Sequence, residues 1–156
     1  MNELFAGLSQ ADYEKLKNAV VLIAVYIAGA DGHIDRKEKE WAEKVTTIRS
    51  YSLPEGLKEF YIEVGEDFTE KLNASIDKYE GPVNLRNQKI ADQLSELNEI
   101  FPKFTNPQVA VTLYESFKSF AQHVARASGG FLSWGTINPH EARLINLDMI
   151  DPVVES

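Results

Sequence analysis

The chain contains no cysteine. That absence removes disulfide scaffolds, thiolate zinc sites, iron–sulfur clusters and cysteine nucleophiles in one step, and it suits a reducing compartment. Histidine is scarce: His33, His123 and His140 are the full complement, and no His-Glu-x-x-His pair occurs, which excludes a zinc hydrolase of that kind. Long hydrophobic runs are missing too. The most apolar stretch, Ala19–Ala30, is twelve residues long, whereas a membrane span needs about 20. It is expected to be a helix buried in a protein core, and no membrane insertion is expected. The opening MNELFAGLSQ carries no Lys or Arg ahead of an apolar run, which argues against a secretory signal. Positive charge is outnumbered, 16 Lys and Arg against 24 Asp and Glu, for a net charge of −8. A surface of that sign repels phosphate backbones and anionic lipid, so no nucleic-acid partner is expected. The expected location is the cytoplasm.

What is present describes a folded globule. The 156 residues suit one domain, and 44% apolar with 26% charged residues is ordinary for one. Ser9 followed by Asp12 is a helix start signal, with Leu8 and Tyr13 placed as a hydrophobic staple, and the helix should run to about Ala30. Asp35-Arg-Lys-Glu38 opens a second helix through Trp41, Val45 and Ile48. Ser52, Pro54 and Glu55 open a third, whose apolar positions Leu57, Phe60, Tyr61, Val64, Phe68, Leu72, Ile76 and Tyr79 keep helical spacing. Gly65 is the expected place for a kink in it. A fourth helix should carry Leu85, Ile90, Leu94, Leu97 and Phe101 on one side and stop before Pro102. Asn106-Pro107 caps a fifth, with Ala110, Leu113, Phe117, Phe120, Ala121 and Val124 on one face. Asn138-Pro139 starts a sixth, through about Met149, and residues 151–156 should form a loose tail. The chain therefore reads as all-α, a single compact domain over residues 1–156 with six or seven helices.

Two places share a local pattern. Ala30-Asp31-Gly32-His33-Ile34-Asp35-Arg36-Lys37-Glu38 and Gly135-Thr136-Ile137-Asn138-Pro139-His140-Glu141 both read Gly, any residue, Ile, Asp or Asn, two residues, Glu. Both follow a long apolar helix, which suggests an internal helix–turn–helix repeat. The commoner chemistry for such a turn is a capping box: Asp35 or Asn138 caps the next helix and Glu38 or Glu141 reaches back to the cap. The other reading is a divalent-cation site built from Asp31, Asp35 and Glu38. These fall where the second half of an EF-hand calcium loop would place them, but Ile27 and Gly29 stand where its first acidic ligands belong, so a true EF-hand is rejected. The second turn carries Trp134 in place of the acid.

The apolar helix running into Asp31-Gly32-His33-Ile34-Asp35 and Glu38, with the later Ala125-Arg-Ala-Ser-Gly-Gly-Phe131-Leu132, Gly135-Thr-Ile137 and Glu141, resembles the TerB-like tellurite-resistance family. The matching parts are roughly residues 15–50 and 105–150. The resemblance implies an all-helical domain with an internal repeat, linked to tellurite resistance and stress responses and acting beside other proteins of the same system. It also implies metal binding through the acidic turn, here Asp31, Asp35 and Glu38. A related domain sits in a membrane-anchored J-protein-type co-chaperone, which implies use of the fold as an interaction module.

Other constellations are weaker. Glu55, Glu59, Glu63, Glu66 and Glu70 line one side of the third helix, and Glu55–Glu80 holds eight acids against three lysines. A solvated face is the ordinary reading; a docking strip for a basic partner is the functional one. Gly130 and Gly135 have the spacing of a phosphate loop, but Thr136 replaces its lysine and no strand precedes it. No spacing singles out a nucleophile with a base, so the chain is read as a non-enzyme. The expected function is a cytoplasmic TerB-like stress-response module that binds a protein partner, basic or from the same resistance system, with a divalent cation as modulator. The alternative is a metal-assisted enzyme with an acidic site acting on a small phosphorylated substrate.

Overall fold

The computed structural model describes residues 1–28, 53–79, 81–127 and 146–154. All regular structure among them is helical, with no strand. A 3-10 turn, Glu3–Phe5, precedes helix α1, Gln10–Ala28. Then come α2 (Glu55–Glu66), α3 (Phe68–Lys78), α4 (Val83–Ser95), the single turn α5 (Leu97–Ile100), a second 3-10 turn (Phe101–Lys103) and α6 (Pro107–Ala127). The helix expected after Asp35, most of the one after Asn138, and the two turns of the repeat lie outside the described residues.

Helix α1 starts where its sequence says it should. The Asp12 amide donates to Ser9 Oγ at 3.1 Å, and the Ser9 amide donates back to Asp12 Oδ2 at 3.1 Å. This reciprocal box satisfies two amides that the first turn would otherwise leave unpaired. Leu8 and Tyr13, the staple positions, are both buried. Further along, every residue from Ala19 to Ile27 is buried. A helix apolar all round needs neighbours all round: α1 packs against α2, α3, α4 and α6 and forms the axis of the molecule.

The segment expected as one long third helix is two. The helix runs through Gly65 and breaks at Asp67, whose φ of −128° and ψ of 22° leave the helical region. The Asp67 carbonyl accepts from Lys71 N at 3.0 Å, the first i→i−4 hydrogen bond of the next helix. The break leaves the apolar spacing intact, so Leu57, Phe60, Tyr61 and Val64 before it and Phe68 and Leu72 after it all reach the core.

The fourth expected helix differs in two ways. Leu85 is 59% exposed and takes no part in the core, which Ile90, Leu94 and Leu97 supply. The helix also breaks at Glu96, and the chain then passes through Pro102 in a 3-10 turn instead of stopping before it. Proline fits there because an early position in a helical turn has no partner for an N–H. Phe101 and Phe104 are thereby both buried.

Asn106 caps α6 as expected, its Oδ1 accepting the Gln108 amide at 3.0 Å. All six apolar positions assigned to that helix, from Ala110 to Val124, are buried. Beyond the undescribed residues 128–145, Leu147 adopts φ 53°, which ends helical geometry before Met149. Asn98 grips this closing segment from both sides: its Nδ2 donates to Met149 O at 3.0 Å and its Oδ1 accepts from Asp151 N at 2.7 Å. The expected loose tail is thus pinned at its first residue.

The core has two characters. Around the start of α1, Phe5 meets Tyr13 edge-on at 4.8 Å and stacks on Phe60 at 5.6 Å, and Phe60 meets Tyr61 edge-on at 5.2 Å. Phe101, Phe104 and Phe117 extend the cluster. The second half of α1 itself is aliphatic from Ala19 to Ile27 apart from Tyr26. Gly7 lets the N-terminal segment enter: with φ 98°, a side chain there would place its Cβ 2.0 Å from the Lys103 carbonyl oxygen.

Candidate functional site

The three acids singled out for a cation, Asp31, Asp35 and Glu38, lie outside the described residues, as do His33, His140, Trp134 and the whole second turn. Among the described residues no group of three or more His, Asp or Glu side chains is arranged to hold a metal ion. His123 sits half-buried on α6 with partners of its own. The structure describes the helices that lead to the two motifs: α1 runs into the first and α6 towards the second, and the two helices pack against each other.

The acidic strip of α2 and α3 is described in full, and it is divided. Glu59 accepts a hydrogen bond from Asn2 Nδ2 at 3.0 Å, and the same amide donates to Gly56 O at 2.9 Å. Glu63 accepts from the buried Tyr13 hydroxyl and pairs with Lys17 at 3.7 Å. Lys17 also reaches Glu14 at 3.1 Å. Burial disfavours the Glu14 charge, yet the Lys17 hydrogen bond and charge outweigh it and hold the carboxyl below its usual range. Burial, and next the hydrogen bond to Glu63, push the Tyr13 hydroxyl well above its ordinary value. The middle of the strip therefore serves the fold, by tying α2 to the N-terminal segment and α1. Its flanks, Glu55, Glu66 and Glu70, face solvent.

Several polar contacts had no signal in the sequence. Lys103 Nζ pairs with Asp12 Oδ2 at 3.1 Å across ninety-one positions. The Ser9 amide, opposed by burial and aided by Lys103, holds the Asp12 carboxyl below its ordinary value. Deeper, the Ser116 hydroxyl donates to Leu113 O at 2.7 Å and lies 2.7 Å from the Tyr61 hydroxyl, linking α6 to α2 inside the core. Only a rule for which helices meet could have found these pairs, and local spacing supplies none.

Two open grooves are bounded by described residues. One, of about 470 Å³, runs along the outer face of α6 beside Leu53 and is lined by Gln108, Val111, Thr112, Glu115 and Ser119. The other, of about 190 Å³, lies between α1 and α3, lined by Asn18, Leu22, Lys71, Ala74, Ser75, Lys78 and Tyr79. The first offers neutral hydrogen-bonding groups and a single carboxylate. The second is basic, unusual on a chain of net charge −8.

No helix among the described residues is long and apolar enough to cross a membrane. No family model, no curated protein and no solved structure matches the chain.

Proposed function

We propose that this chain is a TerB-like stress-response module that works by binding a protein partner, with a divalent cation at Asp31, Asp35 and Glu38 as modulator. The observation that carries the reading is the ordered pair of Gly-x-Ile-Asp/Asn-x-x-Glu turns, each following a long helix of an all-helical chain. Support comes from α1 and α6, the helices that precede the two turns, lying in contact. The solvent-facing flanks of the acidic strip, Glu55, Glu66 and Glu70, suit a basic partner. The pairing of Glu59 and Glu63 within the fold narrows that surface to the two ends.

The test is a melting-temperature titration with calcium, magnesium, manganese and zinc. Three carboxylates on one turn repel one another unless a cation or hydrogen bonds compensate them. A bound ion should stabilise the fold by about 2.7 kcal/mol when its concentration is a hundred times the dissociation constant. Asp31→Asn should abolish that shift while sparing the cap; Asp35→Ala should cost about 1 kcal/mol with or without ion. A wild-type melting curve that no cation moves at millimolar concentration rejects the ion-modulated reading and leaves a capping box.

A further inference from the structure

The cleft between α1 and α3 carries chemistry that the fold itself leaves unused. Ser75, 9% exposed, and the half-buried Asn18 both line this cleft, one from each helix. A hydroxyl and a side-chain amide on the wall of an open cleft are donors available to whatever enters it. Lys71 and Lys78 flank Ser75 on the same face of α3, two turns apart. Lys78 Nζ rests 5.3 Å from the centre of the Tyr79 ring and has no carboxylate partner among the described residues. Lys71 is held by Asp67 at 3.3 Å and feels Glu14 more distantly. An exposed pair one helical turn apart holds its partner weakly, so Lys71 is free to swing over the cleft.

We propose that this cleft binds a phosphate-type oxyanion. The two ammonium groups and the serine hydroxyl can donate hydrogen bonds, as can the amide of Asn18, and no carboxylate lines the cleft among the described residues. The matching ligand is anionic and rich in acceptors, and bonds from ammonium donors to such an oxygen are the strong, charge-assisted kind. The space, about 190 Å³, takes a single phosphate and falls short of the roughly 300–1,000 Å³ of clefts that enclose larger ligands. The inference uses none of Asp31, Asp35 or Glu38 and stands apart from the partner-binding reading.

The experiment titrates the full chain with inorganic phosphate, following amide chemical shifts, against sodium chloride at equal ionic strength and against succinate. Matching ionic strength matters because salt alone screens a chain this acidic. Phosphate should move the amides around Asn18 and Ser75 with saturation, and chloride should not. Lys71→Gln with Lys78→Gln, both at solvent-facing positions that leave the core intact, should weaken binding at least tenfold. Lys89→Gln on α4, an equal loss of charge elsewhere, should leave it unchanged. Identical responses to phosphate and chloride, retained binding in the double variant, or succinate binding as tightly as phosphate would each overturn the proposal.

Discussion

The two halves of α1 differ in burial and in what holds them: the first buries only Asp12, Tyr13 and Leu16, the second every residue from Ala19 to Ile27. The first half is held by directed contacts: the Ser9–Asp12 box, the Asp12–Lys103 pair, the Tyr13–Glu63 hydrogen bond, and aromatic rings meeting at defined angles. The second half, Ala19 to Ile27, is held by volume. A helix apolar all round has no stripe to fix its rotation about its own axis, because any rotation buries similar area. The directed contacts of the first half settle that rotation. One end of the helix thus sets the register and the other supplies burial.

The sharpest way to break this comparison is a matched pair of core substitutions. Phe60→Leu removes a ring that touches Phe5, Tyr13, Tyr61 and Phe117, and should cost about 2–4 kcal/mol in chemical denaturation. Ile23→Leu in the aliphatic half conserves volume and should cost less than about 1.5 kcal/mol. Equal losses would mean that both halves are specified alike.

Next in size is Asp12. Asp12→Ala removes both the cap and the partner of Lys103 and should cost about 2 kcal/mol at neutral pH. Because the folded carboxyl titrates below its ordinary value, its contribution is fully present above the unfolded pKa of about 3.9 and is lost as pH falls through the folded value. The gap between wild type and variant should therefore close in acid, as read from melting temperatures measured from neutral pH downward. A gap that stays constant to pH 2 would rule out an ionised Asp12 as the source.

The smallest effect belongs to Tyr13→Phe, which loses one hydrogen bond to a carboxylate and should cost about 1 kcal/mol. The folded hydroxyl titrates above its ordinary value. Its contribution is complete below the unfolded pKa of about 10 and is lost as pH rises towards the folded one. Wild type and Tyr13→Phe should converge in alkaline melts, and parallel curves there would refute the assignment.

How much was legible depends on distance along the chain. The start of α1 and the cap of α6 were readable because Ser9 with Asp12, and Asn106 with Gln108, act within one turn. The apolar face of α6 was readable because one side of that helix meets the core and the other meets water. Leu85 misled because apolar spacing cannot say how far a helix extends past its packing partner, and Leu85 falls beyond that edge. Gly65 misled because a glycine permits a break without requiring one; the break at Asp67 is set by packing of both halves on α1. The basic cleft was invisible for a related reason, since Asn18 and Lys71 become neighbours only after α1 and α3 dock. The acidic turn is the reverse case: plain in the sequence, it falls at Asp31–Glu38, outside the described residues.

The central place of α1 also has a consequence for synthesis. The helix is made first, yet α2, α3, α4 and α6, which cover it, all follow it in the chain, and α6 ends at Ala127. At about 5–20 residues per second, the run from Ala19 to Ile27 must wait on the order of 5–20 s before α6 has been translated. Helix formation alone does not protect it, because a helix with apolar groups on every side stays sticky whichever way it turns. A nascent chain that ends soon after α1 therefore leaves the apolar run Ala19–Ile27 without the helices that bury it in the folded chain.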